Sequence, residues 1–79
     1  MKQEKELISI VDSVALPMFL RKVRASQELT QEEVADKAGV AKSTYARYER
    51  GIQSPSLLLI EYVLNALGYD MRLVLTRRK

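Results

Sequence analysis

Residues 29–51, LTQEEVADKAGVAKSTYARYERG, constrain the fold more than any other part of the chain. Thr30 stands three residues before Glu33, the spacing of a capping box, in which a hydroxyl and a carboxylate each satisfy an orphan backbone N–H at a helix start. Glu32 and Glu33 lie in the first turn and Lys37 in the last, as the helix dipole prefers. Gly39 stops this helix, and a second short helix spans roughly residues 41–50 before Gly51 stops it in turn. Val34 and Ala38 face inward with Leu29.

The flanks supply the packing partners. Pro17 fits the first turn of an earlier helix, where its missing N–H matters least, and Leu16, Leu20 and Val23 share one face of it. Downstream, Ser54 caps a further helix and Pro55 takes its first position. That helix runs to about Leu67, with Gly68 as its stop and Leu57, Ile60, Val63, Leu64 and Leu67 as its inward stripe. At the end, Met71, Leu73 and Leu75 alternate with Arg72, Val74 and Thr76, the period of a β-strand. At the start, MKQEKE is charged, LISIV (residues 7–11) reads as a short strand or a docked extended arm, and Asp12 or Ser13 caps a turn. The order is helix, helix, tight turn, helix, helix, strand, and the middle pair forms a helix-turn-helix arrangement. The parts divide into an arm at 1–12, a helical domain at 13–68 and a strand with a basic tail at 69–79.

Composition narrows the chemistry. The chain has 79 residues, no cysteine and no histidine, so disulfides, Cys-ligated zinc and the usual neutral-pH base are all missing. The only clustered acids, Glu32, Glu33 and Asp36, fit a solvated helix start, so we expect neither an enzyme nor a cofactor or metal site. No apolar run reaches the roughly 20 residues of a membrane span, and MKQEKELISIVDS lacks a signal peptide's core. A cytoplasmic protein is expected. The net charge of +3 is mild, so its placement matters more than its sum.

That placement is on the helix at 41–50. At about 100° per residue, Lys42, Ser43, Ala46, Arg47 and Arg50 fall within an arc of about 140°, while Ala41, Tyr45 and Tyr48 cluster opposite. A basic face alone is most often solvated surface. Behind a helix and a tight turn, it suits a polyanion, since lysine and arginine reach phosphates or the O6 and N7 of guanine. Tyr45 and Tyr48 read as core residues. Glu49 would repel phosphate; it either pairs with a cation of the protein, Arg24 being the candidate, or is simply exposed.

These residues carry a resemblance. Arg24, LTQEEVA at 29–35, GV at 39–40, KST at 42–44, R-x-ERG at 47–51 and SPS…LNALG at 54–68 resemble the Cro/C1-type (XRE) helix-turn-helix family. The resemblance implies a mainly all-α, lambda-repressor-like bundle of four to five helices with residues 41–50 as the recognition helix. It implies base contacts from Lys42, Ser43 and Arg47, phosphate contacts from Gln31, Thr44 and Arg50, and a structural ion pair between Arg24 and Glu49. Two positions depart from the pattern. Ala41 stands where a Ser or Thr usually caps the recognition helix, and Glu28 replaces the glycine that usually ends the first helix. The ending LNALGYDMRLVLTRRK resembles, over a shorter stretch, the HipB- and HigA-type antitoxin regulators.

The helix after Pro55 is apolar on two sides, with Leu58, Leu59 and Tyr62 on the far one. A helix apolar nearly all round is normally buried all round. A second copy would cover it, the arm LISIV being the alternative. The final strand, with Met71, Leu73, Val74 and Leu75, needs a partner too, either residues 7–11 or the same strand of a twofold mate. The sequence therefore predicts a homodimeric repressor binding double-stranded DNA at a near-palindromic operator. Its antitoxin-like ending adds a cognate toxin as a partner; a stand-alone phage- or plasmid-type repressor is the alternative.

Overall fold

The computed structural model describes residues 15–72 and 75–78. The described residues form four helices: α1 (Ala15–Ser26), α2 (Gln31–Ala38), α3 (Lys42–Arg50) and α4 (Leu57–Ala66). The fold is an all-helical bundle. The central α2 packs on both α3 and α4, and α1 packs on α3.

Local chemistry explains the boundaries. The Thr30 hydroxyl accepts from the Glu33 N–H at 3.0 Å and the Glu33 carboxylate accepts from the Thr30 N–H at 2.8 Å, so the capping box is complete. Gly39 and Gly51 close α2 and α3 at φ 76° and 74°, the left-handed region that costs glycine nothing. Glu28, the residue in the glycine position after α1, adopts φ 57° all the same. A side chain there costs roughly 1 kcal/mol. Gln27 lies beside it and donates from Nε2 to the Leu67 carbonyl at 2.8 Å, tying the end of α1 to the end of α4.

The sequence expectations for α4 need correction. The cap of α4 is Ser56, not Ser54, and its hydroxyl accepts from the Leu59 N–H at 3.2 Å. Pro55 therefore precedes the helix. Leu57, expected inward, is 61% exposed. The stripe that is buried, Ile60, Val63, Leu64 and Leu67, centres about 70° round the helix from it.

The core joins that stripe to Leu20 of α1, Val34, Ala35 and Ala38 of α2, and Tyr45 and Tyr48 of α3. Leu16, Val23 and Leu29 pack against it half-buried. After α4 the chain turns back: Phe19 and Tyr69 meet edge to face, ring centres 5.3 Å apart and 75° between planes. Among the described residues none forms a strand; 69–72 and 75–78 run without regular structure, where a strand was expected. A strand exists only as a ladder with a second strand, and Tyr69 and Met71 instead pack on the helical core. The arm at 1–12, the caps Asp12 and Ser13, and Leu73 and Val74 lie outside the described residues.

Candidate nucleic-acid interface

The sequence of α3 divides it into two unlike faces, and the bundle turns them in opposite directions. Tyr45, Tyr48 and Glu49 are buried. Lys42, Ser43, Arg47 and Arg50 are exposed, and Thr44 and Ala46 are half-buried. Gln31, half-buried at the first position of α2, adjoins this face through a shallow cleft it lines with Arg24, Leu29, Thr30, Glu32 and Lys42.

Glu49 is the pivot of the arrangement. Only 1% of it is exposed, and it carries a carboxylate, so it needs partners. Arg24 supplies two, Nε to Oε2 at 2.6 Å and Nη2 to Oε1 at 3.0 Å, the bidentate geometry that suits a guanidinium. Gln31 Nε2 adds a third bond to Oε1 at 3.0 Å. Arg24 Nη1 also donates to the Leu29 carbonyl at 2.9 Å, so one side chain joins α1, the loop before α2, and α3. Burial pushes the Glu49 carboxyl up, but the bonds from Arg24 and Gln31 and the nearby Tyr45 outweigh it and hold the group below its ordinary value. Burial, with Glu49 adding to it, pushes the Tyr45 hydroxyl well up; burial raises Tyr48 as well. Both hydroxyls are enclosed without a hydrogen bond of normal geometry, although Tyr45 feels the charges of Glu49 and Arg24. These tyrosines stay neutral and act as packing. Sequence reasoning missed the bond from Gln31 to Glu49; its only signal was an amide at the start of α2.

Residues 20–74 match the helix-turn-helix family profile HTH_3. The chain belongs to the XRE-type helix-turn-helix family. It is similar to the cryptic phage CTXphi transcriptional repressor RstR of Vibrio cholerae, with 45% identity over 62% of this chain and 44% of that protein. The chain thus spans less than half the length of that repressor. It is 43% identical to an uncharacterized HTH-type transcriptional regulator of Methanothermobacter thermautotrophicus, over 66% of this chain and 75% of that one. Among solved structures it is similar to HipB in the HipA–HipB–O2–O3 complex, with a TM-score of 0.73 and 25% identity over 90% of this chain and all of that one.

In helix-turn-helix terms, α2 and α3 are the motif, and residues 39–41 are its turn. The helix α3 opens at Ala41, which makes no side-chain cap bond. The residues expected at a dimer contact divide. Leu58 (56% exposed) and Tyr62 (44%) stand on the outer face of α4 beside Leu57, and Leu75 is exposed in the tail. Leu59 and Met71 are half-buried against the chain's own core. No helix of the described residues is long and apolar enough to cross a membrane.

Proposed function

We propose that this chain is a sequence-specific repressor that binds double-stranded DNA through the outer face of α3. One observation carries the reading: Lys42, Ser43, Arg47 and Arg50 are exposed together on a helix whose other face is fixed by core tyrosines and a buried ion pair. A rigid cationic face of that width suits the major groove. Lys42, Ser43 and Arg47 read bases; Gln31, Thr44 and Arg50 meet phosphates. The similarity to phage and HTH-type regulators supports the same role. The chain works in the cytoplasm, on chromosomal or phage DNA, and does no catalysis.

The exposed apolar residues of α4 support a homodimer. Leu57, Leu58 and Tyr62 leave a face that a twofold mate would cover reciprocally. Two recognition helices about 34 Å apart would then enter successive major grooves, and the operator would be a near-palindrome.

The test is selection of a duplex from a random pool, followed by binding of Arg47→Ala. The selected site should be two-fold symmetric, and the variant should bind it about 1–3 kcal/mol more weakly with relaxed choice at one base pair. Unselective binding, or an unchanged Arg47→Ala, would refute the assignment.

A second reading, an antitoxin that also represses its own genes, draws on the likeness to HipB over 90% of the chain. Co-expression with the product of the adjacent reading frame tests it. A stoichiometric complex and relief of growth arrest would support this reading, and a neighbour without toxicity would leave the stand-alone repressor.

A further inference from the structure

We propose that Arg21 is a positioning residue for the recognition helix, gripping α3 by its backbone at the residue Arg24 grips by its side chain. The proposal rests on the DNA-binding reading above.

Arg21 and Arg24 are three residues apart on α1 and therefore share a face. Both reach Glu49. Arg24 takes the carboxylate, and Arg21 Nη1 donates to the main-chain carbonyl. That carbonyl is an orphan by the hydrogen-bond accounting of the helix end. In a continuing helix it would accept from the Gln53 N–H. The chain instead reverses at Gly51, and the Gln53 and Ile52 N–H groups both turn to the Arg47 carbonyl, at 3.5 and 3.1 Å. The Gly51 N–H goes to the Tyr48 carbonyl at 3.2 Å. The terminal reversal thus serves Arg47 and Tyr48 and passes over Glu49. Arg21 takes the Glu49 carbonyl, one of those the reversal leaves, and its positive charge suits the negative end of the helix.

Two anchors on one residue do more than either alone. A side-chain anchor permits α3 to slide or rotate about that side chain's torsions. A second bond to the main chain removes that freedom. Arg47 and Arg50 flank Glu49 in sequence, so their placement depends on this grip most directly. The other end of α3, at Ala41, has no side-chain cap to share the load.

The experiment compares wild type, Arg21→Ala and Arg21→Lys, each at matched folded concentration. Affinity is measured for the selected duplex and for an unrelated duplex across a salt series. Arg21→Ala is expected to weaken the selected duplex about threefold to tenfold, leave the unrelated duplex and the salt slope unchanged, and be partly rescued by Arg21→Lys. The Glu49 carbonyl carbon resonance should move in Arg21→Ala. Equal loss on both duplexes, with the log–log slope reduced by about 0.9, would make Arg21 a phosphate contact and overturn the proposal. An unchanged specificity ratio would overturn it as well. If the wild type selected no duplex, the DNA reading itself would fall, and the Glu49 resonance would still decide whether Arg21 holds α3.

Discussion

The two helices of the motif are built by different means. α2 is closed at both ends by its own neighbours in sequence, with Thr30 and Glu33 at the start and Gly39 at the stop. α3 has a glycine stop but an open start, and its outer face offers little to the core. It is held from a distance, by Arg24 and Gln31 on the Glu49 carboxylate and by Arg21 on the Glu49 carbonyl. Two tyrosines fill the space beneath it. A helix that leaves Lys42, Ser43 and Arg47 exposed does not bury them, so its stability comes from the residues on its other face.

If that contrast is right, the largest effect comes from breaking the distant hold. Arg24→Ala leaves a buried carboxylate with one bond from Gln31, and should cost about 3 kcal/mol in urea unfolding. A loss below about 1 kcal/mol would mean that the bonds from Arg24 are not what holds α3.

Acid probes the same residue. The folded-state pKa of Glu49 lies below its unfolded value, so its contribution is present above about pH 4.3 and is lost as pH falls through the folded value. The stability difference between wild type and Glu49→Gln should therefore shrink from pH 7 towards pH 3. A difference that stayed constant over that range would show that the carboxylate's charge is not what binds it.

The capping contrast predicts a smaller pair of opposite changes. Thr30→Ala should cost about 1 kcal/mol, and Ala41→Ser should gain about 0.5–1 kcal/mol by supplying the missing cap. Thermal melts at pH 7 read both. Smallest of all, Glu28→Gly should gain a few tenths of a kcal/mol, because relief of the left-handed strain slightly exceeds the added freedom of the unfolded chain. A loss on this substitution would mean that the Glu28 side chain stabilises the loop.

What the sequence made legible follows the same division. α2 could be read almost to the residue, because its caps are local. The faces of α3 followed from helical spacing, and its pairing partner from charge logic. The start of α4 was misread by two residues, since Ser54-Pro55-Ser56 offers two serines as caps and only the three-dimensional path selects Ser56. The bonds of Arg21 and Gln31 to Glu49 span 28 and 18 residues and left no periodic trace. Alternation at 71–76 reads as a strand, yet pairing is a property of two segments, and Met71 is spent on the helical core.

The central claim is that the outer face of α3 meets duplex DNA. A titration of isotope-labelled protein with its selected duplex, followed residue by residue by NMR, tests it most directly. The largest shifts should fall on Lys42, Ser43 and Arg47, with Gln31, Thr44 and Arg50 next, while Tyr45 and Tyr48 keep their core environment. Shifts confined to Leu58, Tyr62 and the rest of the α4 face, with α3 unmoved, would contradict the account.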